Sequence, residues 1–224
     1  MPEFRADALL FDMDGTLIDS LEAAERIWGR WAERQGLDVA TFLPTIHGAR
    51  AVDTIGRLNR PGLDPAVEAK RIEREEIEDL EGISPLPGAI AFLARLPAER
   101  WTIVTSAPRD LALARLGKAG LAAPARMVTG EDIATGKPAP DCYLLGARRL
   151  GVAIDRCIVF EDAPVGILAA EAAGAGLIVV GATHRHRARA PLCAIDGYDE
   201  LDVSTRQGSL VLTHRASQGG EASS

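Results

Sequence analysis

The chain has 224 residues, 47% of them hydrophobic and 25% charged, with a formal net charge of −7. That balance argues against a nucleic-acid surface, so an anionic ligand would have to be met by a metal ion or by a few placed Lys and Arg side chains. Cys142, Cys157 and Cys193 are too few and too scattered for a disulfide framework or a zinc site, and nothing resembles a membrane span or a secretory leader.

The length suits one large domain, or a core carrying a smaller inserted unit. Residues 7–11 read as a buried strand, Ala8-Leu9-Leu10-Phe11 being an unbroken apolar run. From Ser20 the period becomes helical, with Leu21, Ala24, Ile27, Trp28 and Trp31 recurring at three and four and Gly36 as a stop. Between Val39 and Ile83 the pattern predicts only helices, near Val39–Leu43, Arg50–Leu58 and Asp64–Leu80. The charged run Glu68–Glu81 reads as a solvated helix face laced with i,i+4 pairs.

After Pro87-Gly88 the rhythm alternates. Helices are predicted over Ala89–Leu96, Asp110–Ala119, Asp141–Leu150 and Val165–Ala173, and strands over Trp101–Thr105, Arg126–Thr129, Cys157–Phe160 and Leu177–Val180. Strands alternating with helices of about ten residues imply an α/β fold with a doubly wound parallel sheet. The expected organisation is a discontinuous core of residues 1–19 and 84–224, interrupted after its first strand by an all-helical unit of residues 20–83. Val203–Thr205 and Leu210–Thr213 flank Arg206-Gln207-Gly208 as an edge hairpin, and residues 215–224 have a disordered composition.

Chemistry gathers where the strands should end, which is where ligands bind in open α/β sheets. The first strand runs into Asp12-Met13-Asp14-Gly15-Thr16, two carboxylates that could share a hard cation, with one attacking while the other handles a proton. Thr105-Ser106 offers a hydroxyl and free amides to an anionic oxygen, although a plain helix cap uses the same residues. Lys137 stands in a rigid Gly-Lys-Pro loop before a helix, and Glu161-Asp162 repeats the opening theme of an apolar strand ending in acids. Two acid pairs and one loop lysine supply a Mg²⁺ site beside a cationic anchor, the equipment of phosphoryl transfer.

These motifs, in this order, resemble the haloacid dehalogenase superfamily over residues 7 to about 185. The resemblance implies a Rossmann-like core with a helical cap. Asp12-x-Asp14 with Gly15 and Thr16 is similar to its first motif, Thr105 to the second, Lys137 to the third and Glu161-Asp162 to the fourth. It further implies Asp12 as nucleophile and Asp14 as acid/base. Mg²⁺ would be held by Asp12, the Asp14 carbonyl and Asp162, with Glu161 as ligand or neighbour. Thr105, Lys137 and the amides of Asp14, Gly15 and Ser106 would hold the phosphoryl oxygens, with Gly15, Thr16 and Ser106 counted as substrate-binding.

The stretches His47-Gly48-Ala49-Arg50, Gly136–Pro140 and Phe160–Ile167 are similar to those of sugar-phosphate and glycerol-phosphate phosphatases. A cytoplasmic monomer acting on a small phosphate ester is therefore expected, with no nucleic-acid or membrane partner. Dehalogenases of the superfamily lack the second acid and the metal pair. The β-phosphoglucomutase branch carries a cap histidine where this chain has Ala24, so a mutase ranks second and a non-catalytic phosphate-ligand binder third. His47 and Arg50 are candidate substrate contacts from the cap, with Glu22 and Arg109 as weaker ones; the His184–Arg189 cluster reads as a solvated loop.

Overall fold

The computed structural model describes residues 2–181 and 191–215; the His184–Arg189 cluster and the chain beyond residue 215 lie outside the described residues. The chain opens with β1 (Glu3–Ala6) and β2 (Ala8–Phe11), and a short β3 (Ile18–Asp19) follows. Four helices come next, α1 (Leu21–Arg34), α2 (Val39–Phe42), α3 (Ala51–Gly56) and α4 (Pro65–Glu78). The start of α4 is fixed by sequence: Asp64 accepts from the amides of Ala66 and Val67, and Pro65 fills the first helical position. Ile27, Trp28 and Trp31 of α1 pack with Phe42, Ile55 and Ile72 into a cluster separate from the rest of the interior.

The return strand β4 (Ser84–Pro85) pairs antiparallel with β3, so the helical insert leaves and re-enters through one small ladder. Beyond it lie α5 (Ala89–Leu93), β5 (Trp101–Ile103), α6 (Arg109–Lys118), α7 (Asp141–Leu150), β6 (Cys157–Glu161), α8 (Pro164–Ala173), β7 (Gly176–Val180) and β8 (Cys193–Ile195). The main sheet is parallel, in the order β5-β2-β6-β7-β8. Strand β2, flanked by β5 and β6, is buried on both faces, and alternate residues serve different layers. Leu9 and Phe11 join the cluster of α5 and α6, whereas Ala8 and Leu10 join that of α7 and α8.

β9 (Leu201–Arg206) and β10 (Ser209–His214) form the expected hairpin, turned by Gln207 and Gly208 at φ of 52° and 80°. Two successive left-handed residues match the right-handed strand twist of a two-residue turn. The hairpin does not edge the main sheet. It pairs through β10 with β1, in a separate antiparallel sheet of order β1-β10-β9. Residues 126–129 are no strand either; only a single bridge, Val104 to Val128, survives there. Among the described residues, no helix is long and apolar enough to cross a membrane.

Candidate active site

The strand order switches sides at β2: the next core strand, β5, lies on one side of it and β6 on the other. A crevice forms at the carboxyl ends at such a switch point. Asp12 follows β2 directly, Thr105 follows β5, and Glu161 and Asp162 end and follow β6. Phe11 pairs in register with Ile103 and with Phe160, which brings the residues after them to one level. Beneath that level Phe11 stacks on Phe160 at 4.5 Å, and Tyr198 packs against both while its hydroxyl donates to the Thr16 carbonyl at 3.0 Å. The loop carrying Asp12 and Asp14 is thus pinned from below.

Lys137 reaches this level from the loop before α7 and is buried. Its ammonium donates to Asp12 Oδ1 at 2.5 Å and to Glu161 Oε1 at 2.7 Å, and it lies over the Tyr143 ring. Burial opposes the charge on Lys137, and the carboxylates of Asp12 and Glu161 outweigh it, holding the group protonated well above its ordinary range. Glu161 has no free oxygen. Oε1 also accepts from the Tyr143 hydroxyl, and Oε2 takes the amides of Asp162 and Ala163. Its work in the structure is to aim Lys137.

Asp162 is held differently. Thr16 donates to its Oδ1 at 2.8 Å, so the buried Thr16 hydroxyl serves this carboxylate and does not reach the cavity. That corrects the expectation of Thr16 as a substrate contact. Gly15 has φ of 81°, and a Cβ there would stand 2.2 Å from Asp162 Oδ2. The glycine is required by the approach of the carboxylate as much as by the turn. Its amide donates to the Ile18 carbonyl at 2.8 Å, so it is spent within the loop and cannot also hold a phosphoryl oxygen.

A second glycine is fixed in the same way. A Cβ on Gly166 would fall 1.6 Å from Glu161 Oε1, while one on Gly117 in α6 meets nothing within 4 Å. Gly166→Ala should therefore cost about 3 kcal/mol by overpacking. Gly117→Ala should gain about 0.5 kcal/mol from helix propensity alone. Urea titrations of the two variants check both signs.

One carboxylate oxygen each of Asp12, Glu161 and Asp162 lies within 4.8 Å of the other two, those of Glu161 being already engaged. Burial raises Asp12 well above the ordinary carboxylate range; Lys137 works against that, and Glu161 and Asp162 with it. Burial and then Glu161 push Asp162 up to about 8. Three carboxylates facing one ammonium leave an excess of negative charge in a dry site, and hard oxygen donors in that surplus fit a hard divalent cation.

A cavity of about 500 Å³ opens above the strand ends, beneath the insert. That volume lies in the range of small-molecule sites. Asp12, Asp14, Thr105, Ser106 and Asp162 border it from below. Thr105 accepts the Ala107 amide at 3.0 Å, which leaves its own hydroxyl hydrogen to donate, while Ser106 Oγ donates to the Gly48 carbonyl at 2.8 Å and ties core to insert. From above come Ala24, Glu25, Trp28, His47 and Glu76, with His47 Nε2 3.2 Å from Glu25 Oε1.

Arg50 does not border the cavity, and neither do Glu22 and Arg109. The Arg50 guanidinium binds Asp53 and donates to the carbonyls of Gly130, Ile133 and Ala134, latching the insert to the loop before Lys137. This corrects its expected role as a substrate contact. Glu76 corrects the reading of α4 as a wholly solvated face. It is buried, borders the cavity and accepts from Arg115 Nη2 at 2.9 Å. Arg115 was missed altogether. The signal was a charged residue four places after Leu111, on the buried stripe of α6.

A parallel sheet with its reactive side chains grouped at the switch point defines an α/β enzyme that works at its strand ends. A family profile described as haloacid dehalogenase-like hydrolase matches residues 6–174, and the chain belongs to that family. It is 47% identical to hexitol phosphatase A of Escherichia coli over 182 residues, covering 80% of this chain and 84% of that protein. Glycerol-1-phosphate phosphohydrolase 2 of Saccharomyces cerevisiae is 32% identical, with 80% and 76% covered. Among solved structures, a HAD hydrolase of family IA, variant 3, from Entamoeba histolytica superposes with a TM-score of 0.74 at 29% identity, over 87% of this chain and 95% of that one.

Proposed function

We propose that the protein is a Mg²⁺-dependent phosphatase that hydrolyses a small sugar or polyol phosphate through an aspartyl-phosphate on Asp12. One observation carries the reading: Asp12 borders the cavity with an ammonium fixed on one of its oxygens and a second acid, Asp14, two residues on. The relatives named for hexitol and glycerol phosphates support the substrate class. In this reading residues 20–83 act as a cap over a core of 1–19 and 84–224, in a cytoplasmic monomer whose three cysteines stay reduced.

Asp12, Asp162 and the Asp14 carbonyl would hold Mg²⁺, with Glu161 beside them steadying Lys137. Bound there, the cation would supply positive charge that offsets the repulsion between carboxylate and phosphoryl oxygens. Asp12 attacks phosphorus in line while Asp14 gives its proton to the departing alkoxide oxygen. Thr105, Lys137 and the amides of Asp14 and Ser106 carry the charge that spreads over the phosphoryl oxygens. Asp14, now ionised, takes a proton from the water that attacks the same phosphorus, and Asp12 is released. The cap closes over these steps and keeps bulk water away. Ala24 borders the cavity where a mutase of this family would place histidine, which favours hydrolysis over transfer to a second hydroxyl.

Phosphate release from a panel of phosphorylated sugars and polyols tests the class; activity confined to the conversion of a hexose 1-phosphate into its 6-phosphate would reverse it. Treatment with EDTA should abolish turnover, and added Mg²⁺ should restore it. Full activity in EDTA would remove the metal from the account.

A further inference from the structure

Three elements meet at one buried guanidinium that the mechanism above does not use. Arg115 belongs to α6 of the core, and only 5% of it is exposed. Its Nη1 donates to Asp14 Oδ1 at 2.8 Å, in the loop after β2. Its Nη2 donates to Glu76 Oε1 at 2.9 Å, on α4 of the insert. Glu76 is held in turn by Trp28 of α1. Arg115 Nε is buried with no hydrogen-bond partner, so the fork is set to span two carboxylates rather than to satisfy its own nitrogens.

Such an arrangement is poor value as a fold stabiliser, since desolvating three charges roughly cancels their attraction. Its position is more informative. All three side chains border the cavity, and among the described residues it is the Arg115–Glu76 pair that ties α4 of the insert to Asp14. Ser20 also donates to Asp14 Oδ1, at 2.6 Å, from the link between β3 and α1. Both bonds fall on Oδ1, which leaves Oδ2 as the oxygen to carry a proton toward a leaving group.

We propose that Arg115 is a positioning residue: it orients the Asp14 carboxyl for proton transfer, and it does so fully only while α4 of the cap is seated and Glu76 holds the other arm of the guanidinium. The inference rests on the reading of Asp14 as acid/base. It makes cap seating and acid placement one event, so the acid is set when water is excluded.

The test exploits leaving groups. A sugar alkoxide needs its proton as it departs, whereas p-nitrophenolate leaves without one. Arg115→Met and Arg115→Lys should lower kcat/KM for glucitol 6-phosphate by about 30- to 100-fold and for p-nitrophenyl phosphate by no more than about threefold. Lysine keeps the charge but cannot bridge both carboxylates, so it reports even if the methionine variant folds poorly. In an Asp14→Asn background, Arg115→Lys should add less than about threefold, because the group it serves is already gone. Equal losses on both substrates, or a full additional loss in the Asp14→Asn background, would overturn the proposal while leaving the phosphatase reading intact. A wild-type protein that releases phosphate from neither substrate would sink both.

Discussion

Asp12→Asn should lower turnover of every phosphate monoester by about 10⁴-fold or more and leave the fold in place. The amide cannot attack phosphorus, and among the described residues bordering the cavity no other stands in the same relation to both Lys137 and Asp14. The fold should survive because Lys137 keeps Glu161 as its partner, and because the variant takes out of the dry site a carboxylate whose charge burial, Glu161 and Asp162 all oppose. Steady-state assays together with thermal melting check the two halves separately. Turnover of p-nitrophenyl phosphate near the wild-type rate would take the nucleophile's role away from this residue.

Lys137→Met should do the opposite to stability. Methionine fills much the same volume, but it strips the cation from between Asp12 and Glu161, both of which are buried. Breaking a buried pair from one side costs about 3–5 kcal/mol at neutral pH, and activity should fall by about 10³-fold with the loss of charge on the phosphoryl oxygens. The sign of the pH dependence follows from Asp12 and Asp162. Their pKa values are raised in the folded protein, so their ionisation works against folding and their protonation favours it. The deficit of the metal-free variant should therefore shrink between pH 8 and pH 5, as these acids take up protons. Urea unfolding of wild type and variant in EDTA at both pH values measures this; a deficit that grows on acidification would contradict the burial argument.

Much of the architecture was legible because it is written locally. The apolar run before Asp12, the glycine-stopped helices and the turn at Gln207-Gly208 each declare their element within a few residues. The grouping of Asp12, Asp14, Thr105 and Asp162 followed from one topological rule, that strand ends in a parallel sheet share a crevice, while Lys137 was marked only by its rigid Gly-Lys-Pro loop before a helix. What stayed hidden depends on distant pairing. β1 is four residues long, and its partner β10 lies some two hundred positions away. Thr16 reads as a loop hydroxyl until Asp162 is seen beside it, and Arg50 as a substrate contact until the carbonyls of Gly130, Ile133 and Ala134 claim its donors. Glu76 is the clearest instance. Counting pairs within α4 finds a solvated face, since the buried partner is supplied by α6, on the other side of the insert–core contact.

The covalent step can be observed directly. Mixing enzyme and a turned-over phosphate ester for milliseconds, quenching in acid, reducing with borohydride and mapping peptides by mass spectrometry should yield homoserine at position 12, the mark of a reduced acyl-phosphate. No such product should form in Asp12→Asn. Rapid phosphate release from wild type with an unmodified carboxylate at position 12, or with the mark on another acid, would contradict the account.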